Sequence, residues 1–429
     1  MRSAVVAQCF GMLTQQMLAG GMLLLYLNAL GVSPARILLV LNLTPFLTSF
    51  LSIPLGWGAD RIGIKRFGKF GNVGMITGLA LVAGASSLRG TFPHLVIPLI
   101  LVGLVVHTVG AALFNTGWFS LLSHLVPAAM TGRYFGVLRF TWQAVSLLFF
   151  AVSATIFSAR TPLWAYQIVL ALGAASIACR NIFYRSLPEV PASSRERMSL
   201  TDSVKSAISL PGFASYLGYL LLLVCVTGNG PDMLRLSAVR GCGLGDNQVL
   251  FLTVGSMAGS LIGFAFVGHI IDRLGPRAVF LGCHLGFAIA LSVFPLRDAL
   301  HLRPFLVGIA ASLLLGLANA TLGLATTAQS FRICLGSQRT IAYALVSSIQ
   351  TFGSGISGFA LAALLGHLGH GTMGWNPFDQ ALLGLAAFVL AQIMAIGLLP
   401  GRPAHLTREA QIRILPPAQE TATAQMPLT

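Results

Sequence analysis

The chain has 429 residues, 9% of them charged and 55% hydrophobic, with a mean hydropathy of +0.83. Soluble domains carry roughly a quarter charged residues, and surface-to-volume scaling gives a soluble chain of this size no way to bury so much apolar surface. The composition therefore excludes a water-soluble fold and calls for a lipid bilayer. The net charge of +15 is scattered through short segments between apolar runs rather than gathered on one face, which excludes nucleic acid as the partner.

The apolar runs read as helices. Stretches such as Leu95 to Phe119 and Ala381 to Leu399 are apolar on nearly all faces and lack the period-two alternation of a membrane barrel. Each reaches the roughly 20 residues that a spanning helix needs. Met1-Arg2-Ser3 followed by apolar residues superficially resembles a secretory signal. The run continues to Leu30 without a clear cleavage site, and so reads as the first membrane helix.

Twelve spans are predicted in chain order. The first six are Ala4 to Leu30, Ile37 to Gly56, Phe70 to Ser87, His94 to Leu122, Gly136 to Ser158 and Leu163 to Phe183. A polar segment, Tyr184 to Ser206, reads as a loop joining two halves. The second six are Pro211 to Val239, Gln248 to Ile271, Ala278 to Leu296, Phe305 to Phe331, Ala342 to Leu365 and Ala381 to Leu399. The expected organisation is an N-terminal half over residues 1–183, a central cytoplasmic loop over 184–210, a C-terminal half over 211–400 and a disordered cytoplasmic tail over 401–429, rich in Pro, Thr and Gln. With both termini cytoplasmic, 19 of the 26 Lys and Arg residues fall on the inner side. The outer set is Arg36, Arg89, Arg160, Arg235, Arg240, Arg297 and Arg303, an asymmetry that obeys the positive-inside rule. Arg180 counts among the inner loop cations in this reading. The six cysteines have no CxxC spacing, so neither a disulfide framework nor a metal site is expected, and no cofactor is called for.

A repeated loop is the most specific signal. Gly56-Trp57-Gly58-Ala59-Asp60-Arg61-Ile62-Gly63-Ile64-Lys65 follows the second span, and Gly268-His269-Ile270-Ile271-Asp272-Arg273-Leu274-Gly275-Pro276-Arg277 follows the eighth, 212 positions later. A weaker echo relates Thr131-Gly132-Arg133 to Ser337-Gln338-Arg339. Repetition at about half the chain length implies two homologous halves. The inner glycine suits a tight turn with positive φ. Asp suits the N-terminus of a neighbouring helix, and the following Arg and Lys can pair with that Asp.

In these motifs and in its helix count the chain resembles the major facilitator superfamily. The resemblance implies an all-α membrane protein of twelve transmembrane helices in two pseudo-symmetric six-helix halves. It also implies transport of a small solute by alternating access, in a multi-pass protein of the cell (inner) membrane. Gly56, Asp60, Arg61, Gly63 and Lys65, with Gly268, Asp272, Arg273, Gly275 and Arg277, match the family's cytoplasmic gating motif. The usual Leu of that motif is Gly58 in the first copy and Ile270 in the second.

The resemblance further implies a central site lined by the first, fourth, seventh and tenth spans. Polar groups there are Gln15 and Gln16; His107, Asn115 and Trp118; Asn229 and Asp232; Asn319 and Gln329. Arg139 and Gln143, spaced i, i+4 in the fifth span, share a face. For each of these, hydrogen bonding between helices is the competing role. Gly228-Asn229-Gly230-Pro231 breaks the seventh span, because proline removes a backbone donor. Asp232 beside that break is a candidate proton site, and Arg139 a candidate anchor for a carboxylate or phosphate; a plain kink and a snorkelling charge are the bland alternatives. Uniport, import and export all stay open, and a monomer is expected.

Other classes fit less well. The residues before Lys205-Ser206 lack the glycine of a phosphate-binding loop, and no HExxH or GxSxG is present, so neither an ATPase nor a membrane enzyme is expected. A receptor or scaffold built on the transporter fold is the remaining alternative.

Overall fold

The computed structural model describes residues 2–125, 131–188, 199–333, 339–368 and 376–399. They form fifteen α-helices: α1 (Arg2–Ala19), α2 (Met22–Ala29), α3 (Pro34–Ile62), α4 (Ile64–Ala85), α5 (Pro93–Leu125), α6 (Thr131–Ile156), α7 (Leu163–Arg185), α8 (Leu200–Ile208), α9 (Phe213–Thr227), α10 (Gly230–Leu236), α11 (Asp246–Leu274), α12 (Pro276–Val293), α13 (Pro304–Ile333), α14 (Arg339–Leu368) and α15 (Pro377–Ala391). Eleven spans among the described residues are long and apolar enough to cross a bilayer, and α1 with α2, bent by 42°, supplies a twelfth.

The two halves repeat the same neighbours. In the first, α4 packs along α5 and α7, α3 along α5, and α1 along α6 and α7; in the second, α12 packs along α13 and α15, α11 along α13, and α9 along α14. The halves meet where α3 lies against α14 and α6 against α11. Lipid gives no hydrophobic drive between helices, so close approach depends on small residues. A Cβ on Gly316 would fall 1.8 Å from the Ser256 carbonyl oxygen, and one on Gly259 would fall 1.9 Å from that of Leu313, so α11 and α13 touch backbone to backbone. Gly71 and Gly110 play this part between α4 and α5, each with the other's carbonyl oxygen 2.6 Å from its would-be Cβ.

The repeated motif is helix, not loop. Helix α3 runs to Ile62 and α11 to Leu274, so residues 56–62 and 268–274 are terminal helical turns and the loop shrinks to one glycine. Gly63 has φ 106° and Gly275 φ 79°, the positive values expected of them, and each also starts the next helix. The polar residues let the helices continue beyond the apolar layer, where a backbone-only reading of hydropathy would end them.

The segment expected to be a featureless central loop holds α8. The Ser199 Oγ accepts a hydrogen bond from the Asp202 N–H at 3.1 Å and caps its first turn. The first span is two helices rather than one, and the seventh is α9 and α10 followed by a π turn over Ser237–Gly241. The last span begins at Pro377, earlier than expected, because Asn376 caps it by accepting the Phe378 N–H at 3.0 Å. The 401–429 tail and the Ser337-Gln338 part of the weaker echo lie outside the described residues, as do the side chains of Arg133 and Arg339.

Candidate functional site at the seam of the halves

Two glycine breaks shape the seam. Gly20-Gly21 ends α1 with φ 94° at Gly21, and about 208 positions later Gly228-Asn229-Gly230 separates α9 from α10. Both lie in the first span of their half. A break leaves helix-end carbonyls without intrahelical partners, and within a membrane these must be satisfied elsewhere. At α1 the other half satisfies them. Arg235 Nη1 donates to the Ala19 carbonyl at 3.3 Å, and Thr253 Oγ1 donates to the Gly20 carbonyl at 2.7 Å. Arg235 Nη1 also lies 2.7 Å from Asp232 Oδ1, in a pair whose side chains are 8% and 19% exposed. A cation at the C-terminal end of α1 also suits the helix dipole.

Farther along the seam, α6 faces α11. The Arg139 guanidinium lies 5.9 Å from the centroid of the Phe264 ring, and the Trp142 ring lies 6.4 Å from the same ring. One turn on, Gln143 donates to the Met257 carbonyl at 3.4 Å. Arg139 is half-buried, and no carboxylate pairs with it among the described residues. It therefore sits where α6 meets α11, near the Gly136 end of its span, a position that fits a snorkelling charge as well as a ligand anchor.

The remaining candidates divide. Trp118 is 2% exposed and packs against Phe114 and Tyr184 inside the first half. The Asn229 Nδ2 is spent on α14, donating to the Ser354 carbonyl at 2.7 Å and to Ser357 Oγ at 2.6 Å. Burial in a tight helix contact, invisible in the sequence, gives both a packing role. His107 joins α5 to α4 through the Met75 carbonyl, 3.3 Å from its Nδ1, and Gln329 is buried. Gln15 and Asn115 are exposed, Gln16 and Asn319 half-buried, and the side chains of all four lack hydrogen bonds among the described residues.

In the repeated motif, the side chains of Asp60, Arg61 and Asp272 lie outside the described residues, and Gly56 falls within α3. Gly268, Gly63 and Gly275 stand at the helix ends, and Arg273 is exposed. The terminal cations of the two copies do matching work. Lys65 Nζ donates to the Leu187 carbonyl just past α7, and Arg277 Nη2 donates to the Leu399 carbonyl just past the last span. The two acceptors are again 212 positions apart. Each cation thus ties the third span of its half to the end of the sixth.

Sequence reasoning missed two buried arginines by treating cations as loop markers. Arg180 is 5% exposed on α7, donates through Nε to Asn72 Oδ1 at 3.0 Å, and holds its guanidinium 3.7 Å from the centroid of Phe114. Arg297 forms a two-pronged pair with Asp379, with Nη1 to Oδ1 at 3.0 Å and Nη2 to Oδ2 at 2.8 Å. Burial pulls its pKa down, but the hydrogen bonds and charge of Asp379 outweigh this and leave it above the ordinary arginine value. The clue to Arg180 was an arginine inside a span with no carboxylate adjacent in sequence, whereas Arg297 is followed directly by Asp298, which hides its pairing with Asp379.

Comparison with known proteins bears on this arrangement. A family model described as Major Facilitator Superfamily matches residues 4–238. No curated protein matches the sequence. Among solved structures, the chain is similar to the nucleoside transporter NupG, at 14% identity and TM-score 0.65 over 93% of this chain and 99% of that one. It is similar to the inward-open xylose transporter XylE from E. coli, at 14% identity and TM-score 0.68 over 96% and 98%. A POT family transporter in complex with 5-aminolevulinic acid aligns at 13% identity and TM-score 0.70 over 92% and 95%.

Proposed function

The chain belongs to the Major Facilitator Superfamily, and from that premise we propose that it carries a small organic anion or phosphate ester, held at the seam of the halves by Arg139. Transport of a small solute is the function of the family and of this chain. The similar structures are named for nucleoside and xylose transport and for a complex with 5-aminolevulinic acid, so the fold alone does not choose among solutes. Arg139 does. A half-buried guanidinium between two halves, met among the described residues by an aromatic ring and no carboxylate, sits where the dielectric is low and an anionic group gains most from pairing with it. Gln15, Gln16, Asn115 and Asn319 complete the polar lining.

The two halves, 1–183 and 211–400, rock about this site, with the central loop 184–210, both termini and the 401–429 tail on the cytoplasmic side of a cell membrane. The excess of 19 inner cations over seven supports that orientation. The repeated motif then faces the cytoplasm and gates that side. The hydrogen bonds between halves described above lie from mid-membrane to the opposite end, which supports a state closed to the outside. Asp232, paired with Arg235 on the same helix beside the break, is the carboxylate we assign to proton coupling. Nothing in the arrangement favours a receptor, a scaffold or a catalyst.

A thermal-shift panel of organic anions, sugars and nucleosides tests the anchor. A bound anion at about 100 times its dissociation constant stabilises the wild type by roughly 2.7 kcal/mol. That shift is expected to vanish in Arg139→Ala. A sugar or nucleoside that stabilises both proteins equally, with no anion acting, overturns the anionic reading and leaves transport standing. For the coupling role, Asp232→Asn is expected to lose gradient-driven accumulation while keeping exchange.

A further inference from the structure

The α1 break, the arginine beside it and a threonine from the facing helix form one device. We infer that Arg235 and Thr253 are state-dependent caps of the broken first span, positioning residues that hold the end of the bundle opposite the repeated motif closed. The inference rests on alternating access but not on the anionic substrate or on Arg139.

Gly20-Gly21 stops α1 inside the membrane and turns its last carbonyls toward the other half. The carbonyls of Ala19 and Gly20 are met there by Arg235 of α10 and Thr253 of α11. Thr253 is 1% exposed and Arg235 is 6% exposed, so both caps are dry in this state. Gly21 is required by contact as well as by conformation, because a Cβ there would lie 2.9 Å from Arg235 Cδ. Asp232, one turn before Arg235 on α10, fixes the guanidinium in place.

Any motion that separates the halves at this end pulls Arg235 and Thr253 off α1 and leaves two helix-end carbonyls to be met by entering water. Closing dries and caps them again. The break is therefore stable as a dry structure only when this end is shut, and each cap biases the equilibrium toward the shut state. Arg180 and Arg297, the other buried arginines, bond within their own halves and have no such dependence.

Pulsed electron–electron resonance tests this without any substrate. Nitroxides are placed at Thr91 and Leu302, exposed positions of the two halves on turns at that end, in a chain whose native cysteines are replaced. The wild type is expected to give mostly the shorter separation. Thr253→Val, which removes a neutral hydrogen bond, is expected to raise the ratio of long to short separations roughly 2- to 12-fold. Arg235→Ala is expected to raise it on the order of tenfold or more, because the lost donor is charged. Arg235→Lys, which keeps a charged donor, is expected to fall back toward the wild type. An unchanged distribution in Thr253→Val, or in Arg235→Ala that keeps the wild-type melting temperature, overturns the inference.

Discussion

Removing the Asp379 carboxylate is expected to be among the most destabilising single changes available in the second half. Its oxygens accept from Arg297 Nη1 and Nη2 at 3.0 and 2.8 Å and from Ser237 Oγ at 2.9 Å. The paired side chains are 4% and 5% exposed, so water replaces nothing when one is lost. Asp298 lies 3.6 Å from Arg297 but is 78% exposed, and a solvated carboxylate at that range compensates little. Asp379→Ala therefore strands a buried guanidinium and a buried hydroxyl, a loss of about 3–5 kcal/mol. In a micelle melt followed by tryptophan fluorescence at one fixed scan rate, the midpoint is expected to fall by on the order of 5–10 °C. Arg297→Leu combined with Asp379→Leu is expected to recover most of that, because the desolvation cost of both charges disappears with the pair. The reasoning fails if Asp379→Ala melts within 1–2 °C of the wild type, or if the double variant is worse than the two singles added.

Other perturbations read separate parts of the architecture. Gly316→Val is expected to force α11 and α13 apart, since even a Cβ would meet the Ser256 carbonyl oxygen at 1.8 Å; lost monodisperse expression, with Gly323→Val as the tolerated control where no atom lies within 4 Å, is the check. Gly358→Leu on α14 has Asn42 of α3 only 1.9 Å from its would-be Cβ, and is expected to wedge the seam open and raise labelling of single cysteines introduced on the facing sides of α3 and α14. Lys65→Ala and Arg277→Ala each remove one donor to a span-end carbonyl, and each is expected to cost about 1.5–3 kcal/mol, read as a lower melting midpoint. Equal effects from the two would support the paired role, and a neutral result at either position would remove it there.

The fold was legible because its signals are additive over many residues. Charge content, run length and a motif repeated 212 positions apart each average over whole spans, so the helix count and the two-half plan do not depend on any one side chain. The positive φ at Gly63 and Gly275 was readable because glycine in a tight turn adopts it at no steric cost, although the turn proved to be a single residue between two helices. The site was legible only in part. Arg139 and Gln143 share a face by helical period alone, and that face meets the seam. Trp118 and Asn229 look like ligand groups in sequence because spacing says nothing about whether a neighbouring helix has already claimed them. The break at Gly20-Gly21 went unread for a different reason. Glycine pairs are common in membrane helices, and this one becomes a break only because Arg235 and Thr253, more than 200 positions away, satisfy the carbonyls it frees.

That contrast also supports the choice of Arg139 as the proposed ligand anchor. Charge inside a membrane is costly enough that each cation should have found a partner. Arg297 has found a carboxylate, and Arg235 has found another together with a helix end. Arg180 has no carboxylate, but Asn72 accepts from two of its nitrogens and the Phe114 ring lies 3.7 Å away, close enough for a strong cation–π contact. Arg139 has a ring at 5.9 Å, near the limit of such an interaction, and no acceptor among the described residues. It is also half-buried near the Gly136 end of its span, on the stretch of α6 that packs against α11 where the two halves meet. A partner supplied from outside the chain would complete it, and the chemistry of a guanidinium makes that partner an anion.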